Sequence, residues 1–586
     1  MRERKLISLL GFFVFCIFSA EYFWGIGWGV PNERQTALVF PNSSDLEKYK
    51  PKILEKRNFF YRELFNALEG KSSVGEYVPK LYHHYLKTPA YQELSEGVIL
   101  DAVRSYLIGL RNSDEQKVLS ALSHMNPRKF QFGLRDPIYG GFYHYGCGLM
   151  LGMGSVLGLC TVSSDVGFYL TRPQETHRLY VILRSISAIC AIAALSLLYV
   201  FLSRSFGIFA GLVAVCWLGF NPWMASIGHL VKPHALSVLL LSILLTLVFR
   251  DWQAQWKKWA IVNGLIVGVA AGSLVSNCLF YFLPILFLCF GIRRGEIKQR
   301  DFLYLVALYT ASFIFVFAAS NFYLISSWKA FAIRAQETKL TFNYGIWSLR
   351  DAWPFLSDYF KYSLLWVACP LVFYGLLVML FSDNFRYRIC GIFLIFYLLV
   401  AIFYARHQNV LTNVGPLIIL ALAFGVHKLV AWSRNVLWKS AVVLAGSLWI
   451  VFMAFNVYCY LPTVHSEGPL LDAGSWINAN ISEGTSIGIA GGWPSTATYP
   501  PFNFLRYRLI HLPWPVSQAV DNAHTLPEYA VTIGDIPDAP WAKWYQEVRR
   551  WEIMPKFCGK ACRWETTENI VLLLRKVNSD LFPENR

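Results

Sequence analysis

The chain has 586 residues, of which 55% are hydrophobic, 16% aromatic and only 15% charged, with a formal net charge of +16. A soluble domain rarely reaches that apolar share. The apolar residues gather in runs of about 17 to 24, enough to cross a hydrocarbon core of about 30 Å as helices. This composition excludes an ordinary soluble enzyme, and it excludes a membrane β-barrel, whose segments are short and alternating. The excess Lys and Arg lie in short loops between the runs, as cytoplasmic loops and surfaces near anionic headgroups require, so nucleic acid is not an expected partner.

At the N-terminus, Met1-Arg2-Glu3-Arg4-Lys5 precedes the first run, 6–29. No small-x-small cleavage pattern ends that run, so it reads as an uncleaved signal anchor with a cytoplasmic N-terminus. The chain then leaves the run through Val30-Pro31-Asn32-Glu33-Arg34. The loop 30–140 reads as mostly helical and amphipathic, with Leu54, Phe59, Phe60, Leu64, Phe65 and Leu68 at helical spacing, and membrane lipid is an expected partner of such helices. Next comes 142–161, apolar but carrying Gly146, Gly148, Gly152, Gly154 and Gly158, which predicts a weak helix that re-enters or lies along the outer face.

Further apolar runs follow at 179–202, 206–225, 234–250, 260–276, 278–291, 302–326, 360–381, 388–404, 409–428 and 439–461. Basic clusters at Arg250–Lys258, Arg293–Arg300, Arg386–Arg388 and Lys428–Lys439 become cytoplasmic if each run from 179 onward crosses once. The expected architecture is therefore a polytopic α-helical membrane protein with 11 spans plus a re-entrant or juxtamembrane segment. The membrane domain covers 1–461. From Pro462 the composition changes. Strand-like runs at 486–490, 529–533 and 569–574, with a helix candidate at 472–480, predict a small extracytoplasmic α/β domain over 462–586. Cys558 and Cys562 there are a candidate disulfide. Asn42 and Asn480 fit the N-glycosylation pattern.

This threading gathers the unusual polar residues on one outer face. Glu33 is a candidate general base, able to take a proton from an acceptor once partly shielded from water by Trp24, Trp28 and Pro31. Asp136 is a second carboxylate candidate. Tyr143, His144 and Tyr145 are candidates to line a pocket for a sugar or an isoprenoid. Lys232 and His234 flank Pro233 between two runs, at a depth where ionisable groups are expensive, and Lys232 suits a lipid phosphate as a point charge. Arg406 and His407 break an apolar stretch, and Arg binds phosphate through two parallel hydrogen bonds. For each of these the structural alternative is a boundary or snorkelling residue at a span end.

Together these elements resemble the GT-C membrane glycosyltransferases of the protein O-mannosyltransferase and aminoarabinose transferase type (glycosyltransferase family 39). The resemblance rests on Pro31-Asn32-Glu33 after the first span, the aromatic start Phe142-Tyr143-His144-Tyr145, the Lys232-Pro233-His234 turn, the Gly-rich pair 260–276 and 278–291, Arg406 followed by Pro416, and a tail containing Ala473-Gly474-Ser475-Trp476-Ile477. It implies an inverting sugar transfer from a polyprenyl-phosphate donor outside the cytoplasm, with Glu33 as base and Lys232 and Arg406 stabilising the leaving lipid phosphate. A bacterial inner membrane and an extracytoplasmic C-terminus go with that type. The acceptor, whether protein, lipid or polysaccharide, stays open.

Two positions depart from the pattern. Asn32 stands where the type has an Asp, and His234 replaces the Asp of the turn. A divalent metal bridged by those acids is therefore not firmly implied. Either Glu33 works without a metal, or the chain is a non-catalytic scaffold or assembly subunit. A lipid or solute transporter is a third reading, but transporters commonly show paired repeats, and no internal repeat stands out.

Overall fold

The computed structural model describes residues 2–68, 91–110, 112–123, 125–134, 139–250, 255–323, 368–405, 408–432, 435–465, 468–490, 499–512, 526–534, 541–552 and 570–577. Asp136, Arg406, His407, Cys558, Cys562 and the loop 327–359 lie outside the described residues. The chain divides into two compact units. The first comprises Met1–Ile26, Lys117–Met153 and Ile182–Tyr458, and the second Gly27–Gln116, Gly154–Val181 and Cys459–Arg586.

The first unit is helical. Among the described residues of the chain, seven helices are long and apolar enough to cross a membrane: Arg4–Phe23, Pro173–Phe206, Val275–Arg293, Gln299–Ser320, Phe385–Phe403, Gly415–Trp432 and Val436–Cys459. An eighth span would be the pair Ile208–Gly219 and Pro222–Gly228, bent by 63°. The protein is thus a polytopic α-helical membrane protein. Two more of the expected runs are shorter apolar helices, His234–Phe249 and Ala368–Leu380.

The bend has a local cause. The run 206–225 reads as one span, but Asn221 interrupts it. Its side-chain oxygen accepts from Trp223 N at 2.9 Å, and Pro222 takes the first position of the new helix, the capping arrangement that starts helices rather than continues them. The glycine-rich stretch, expected to be a weak helix, forms a regular one over Gly141–Val156. Each glycine costs about 1 kcal/mol of helix propensity, and burial of Tyr143, His144, Cys147 and Leu151 along one side opposes that cost. Glycine has a different use in helix Trp256–Ser273. A Cβ on Gly264 would stand 2.4 Å from Tyr309 O, and one on Gly268 2.9 Å from Phe313 O. Small residues one turn apart let this helix lie directly against Gln299–Ser320, as packing inside lipid favours.

The second unit contains a five-stranded sheet. Its strands are β1 Ser486–Ala490, β2 Arg508–Leu512, β3 Tyr529–Ile533, β4 Tyr545–Glu552 and β5 Ile570–Lys576, in the order β2-β1-β3-β5-β4. β1 pairs in parallel with β2 and β3, while β5 is antiparallel to β3 and β4. The central strands bury both faces. Val571 and Leu573 of β5 belong to one core, and Leu572 and Leu574 to the other, which is why β5 reads as a continuous apolar run. The first core also holds Val39, Phe40, Leu46, Ile53, Val103 and Tyr106 beside Ile477 of helix Gly468–Asn480. The loop after the first span and the tail therefore fold around one shared interior. Residues 91–94 extend the sheet by lying along β2, with Leu94 N donating to Leu509 O at 2.7 Å, and so cover an edge that would otherwise invite pairing with another chain.

Candidate active site

Glu33 opens helix Glu33–Val39 of the second unit. Asn32 is its cap: the side-chain oxygen accepts from Gln35 N at 2.9 Å, and the backbone carbonyl accepts from Thr36 N at 3.0 Å. Asn32 thus does the work typical of a cap residue and fixes the backbone from which Glu33 projects.

Glu33 faces a groove of about 540 Å³ lined by Pro31, Asn32, Arg34, Gln174, His177, Arg178 and Leu471. Gln174, His177 and Arg178 come from the start of helix Pro173–Phe206. Their spacing of three and four residues puts them on one helix face. The Gln174 amide donates to Glu33 Oε1. His177 lies over Gly27, where a Cβ would stand 2.6 Å from its ring, so only glycine admits the ring in this position.

The two arginines of the groove are already engaged with acids. Arg178 pairs with Glu175 at 2.7 Å and Arg34 with Asp472 at 3.2 Å. Glu33 instead meets a neutral amide, and among the described residues it forms no ion pair. The expected shielding is not seen: Glu33 and Trp24 are exposed. The carboxylate is open to the groove and can accept a proton from a group placed there.

The other described candidates belong to the first unit. Lys232 and His234 are buried, at 8% and 7% exposure. His234 Nδ1 lies 3.0 Å from Asn413 Oδ1, the imidazole donating. Ser187 Oγ donates to Lys232 O at 3.3 Å, and the Tyr143 hydroxyl neighbours Ser187 and Cys147. Tyr143 and Lys232 thus meet the same serine. His144 is fully buried, with Nδ1 3.1 Å from Gly140 O. Tyr145 turns to other partners, donating to Phe132 O at 3.0 Å and stacking on Phe322.

Sequence reasoning missed two sets of residues. Gln174, His177 and Arg178 are ordinary polar residues at a span start, and only the folded chain sets them beside Glu33. The second set is Arg184 and Glu21, hidden inside apolar runs, where any charge is a signal; beside them stands His229, which opens the costly polar stretch 229–234 between two runs. Arg184 is fully buried and donates to Ile26 O at 2.8 Å. His229 presents Nδ1 to Ala225 O at 2.7 Å and Nε2 to Trp24 O at 3.1 Å. Arg184 and His229 thereby fasten two backbone carbonyls just beyond the end of the first helix. Glu21 is buried, and its carboxylate oxygens have no hydrogen-bond partner among the described residues. No three His, Cys, Asp or Glu side chains among the described residues gather as a metal-binding group.

Residues 179–320 match the family model of dolichyl-phosphate-mannose-protein mannosyltransferase. Over that segment the chain is similar to membrane mannosyltransferases. The matched segment contains the Lys232-Pro233-His234 turn and both glycine-packed helices, in agreement with the GT-C resemblance; Glu33 precedes it. Among solved structures, the chain is similar to ArnT from Cupriavidus metallidurans bound to undecaprenyl phosphate, at 13% identity and a TM-score of 0.43, covering 83% of this chain and 98% of that one. It is also similar to the Archaeoglobus fulgidus oligosaccharyltransferase in complex with Zn and sulfate, at 12% identity and a TM-score of 0.40, covering 67% of this chain and 59% of that one. The chain thus spans less than two thirds of that oligosaccharyltransferase. No curated protein matches the chain.

Proposed function

We propose that the protein transfers a sugar from a polyprenyl-phosphate carrier to an acceptor on the extracytoplasmic face of a membrane. The observation that carries this reading is the Glu33 carboxylate, open to a groove, held by the Gln174 amide and in no ion pair among the described residues. The family match over 179–320 supports a lipid-phosphate donor.

In this reaction an acceptor heteroatom forms a bond to the anomeric carbon from the face opposite the phosphate. The bond from that carbon to the carrier phosphate breaks, and its electron pair leaves with the phosphate. The acceptor's proton passes to Glu33, a role that carboxylates fill when within hydrogen-bond reach. Lys232 and Arg406 supply positive charge to the leaving lipid phosphate. The steps attach to Glu33 and need no second acid at position 32.

The test is sugar transfer from a polyprenyl-phosphate donor in proteoliposomes containing the purified full chain. Donor-dependent product that disappears in Glu33→Gln supports the reading. Undiminished transfer by Glu33→Gln removes Glu33 as base.

A second reading has its own observation. Asn32 and His234 stand where the resembled type has acids, and both have structural partners here, Asn32 as a helix cap and His234 against Asn413. This fits a non-catalytic assembly subunit. That reading predicts no product from any polyprenyl-phosphate sugar and full function of the Glu33→Gln variant in cells.

A further inference from the structure

The loop between helices Ser113–Leu122 and Gly141–Val156 holds an aromatic side chain out of the fold. Asn126 and Gln131 close it with two backbone hydrogen bonds: Asn126 N donates to Gln131 O at 2.8 Å, and Gln131 N donates to Asn126 O at 3.0 Å. Within it, Pro127–Lys129 forms a single tight turn, and Phe130 N donates to Pro127 O at 3.1 Å. Phe130 sits at φ 54, a left-handed conformation that bulky side chains avoid. Glycine or asparagine would relieve it. Phe130 is nevertheless 86% exposed and Phe132 38%. The loop spends backbone strain on an aromatic ring that finds little cover within the chain.

The base of the loop is fixed to the first unit. Leu134 is buried with Ala121 and Tyr323, and Tyr145 donates to Phe132 O. Tyr145 belongs to helix Gly141–Val156, which exposes Phe142, Leu149 and Met153 along the face that Tyr145 shares. Those residues follow a helical stripe, and an apolar groove of about 430 Å³ runs between Phe142, Tyr145 and Leu149 and Phe315, Val316 and Ala319. In a protein with this many apolar spans, such a stripe faces hydrocarbon. The Phe130 loop is joined to the N-terminal end of the stripe. Exposed Lys129 is its neighbour.

We propose that the Phe130 loop is a bilayer-interface anchor, seating its aromatic ring at the boundary of headgroups and acyl chains while Lys129 meets anionic lipid phosphates. Aromatic rings favour that boundary, and a lysine there gains from anionic headgroups. The stripe on helix Gly141–Val156 continues the apolar contact inward. This anchor is independent of the transfer reaction.

The test replaces Phe130 with the photocrosslinker p-benzoylphenylalanine in the full chain. The protein is reconstituted into phosphatidylglycerol/phosphatidylethanolamine vesicles or phosphatidylcholine vesicles and irradiated, and the adducts are read by mass spectrometry. The expected result is a lipid adduct at position 130, favoured in the anionic vesicles, with Lys129→Gln reducing that preference by up to about fivefold. The same crosslinker at exposed Gln131 repeats the measurement if the first variant folds poorly. A protein adduct from both positions, or no lipid adduct from either, overturns the anchor.

Discussion

Glu33 and Lys232 carry charge in opposite settings. The carboxylate is exposed in a groove of the second unit and held by one neutral amide. The lysine is buried in the first unit, on a turn bound through Ser187, with His234 against Asn413. An exposed acid costs the fold little, so it can be retained for chemistry alone. A buried lysine costs solvation unless something compensates it, so it is built into the packing. Substitution should separate the two settings: groove variants should lose rate and keep stability, whereas variants of the buried turn should affect both to different degrees.

The largest effect expected at the buried turn is on rate. Lys232→Met keeps the side-chain length and removes the charge. If the ammonium stabilises the leaving phosphate, transfer falls about 10²–10³-fold, measured as initial rate with saturating donor. A variant that transfers at the parental rate would reduce Lys232 to a packing residue. His234→Ala tests the structural side of the turn. It strips a donor from the buried Asn413 oxygen and should cost about 1–3 kcal/mol, read by thermal unfolding in detergent. Equal melting temperatures would show that the contact adds nothing. The smallest effect belongs to the groove rim. Arg34 and Asp472 are both more than half exposed, so a double-mutant cycle between them should give about 0–1 kcal/mol. A larger coupling would mean that the rim is rigid, and the contrast between the two settings would then weaken.

The sheet shows which features a sequence reveals. β1, β3 and β5 are legible as apolar runs at 486–490, 529–533 and 569–574, because central strands bury both faces. β2 and β4 are not, and they are the two outer strands of the sheet. β4 reads Tyr-Gln-Glu-Val-Arg-Arg-Trp-Glu and is exposed along most of its length, since an edge strand keeps charge to resist pairing with other chains. The broken span at Asn221-Pro222 had a turn signal, but the apolar residues around it outweigh that signal in any window average. In the groove, Glu33 is legible from its place at a membrane exit. Gln174 and His177 are not, because nothing local distinguishes them and their meaning lies in a partner 141 residues away. Arg184 and Glu21 are charges within apolar runs, a signal present in the sequence and hidden by averaging.

Glu33→Gln in the proposed reaction is the most direct test, because it keeps the size and hydrogen bonding of the side chain while removing its capacity as a base. Donor binding and transfer should be measured on the same preparation, with polyprenyl-phosphate sugar in proteoliposomes. The expected result is unchanged donor binding and melting temperature, with transfer reduced about 10²–10⁴-fold. Parental transfer by the variant would contradict it.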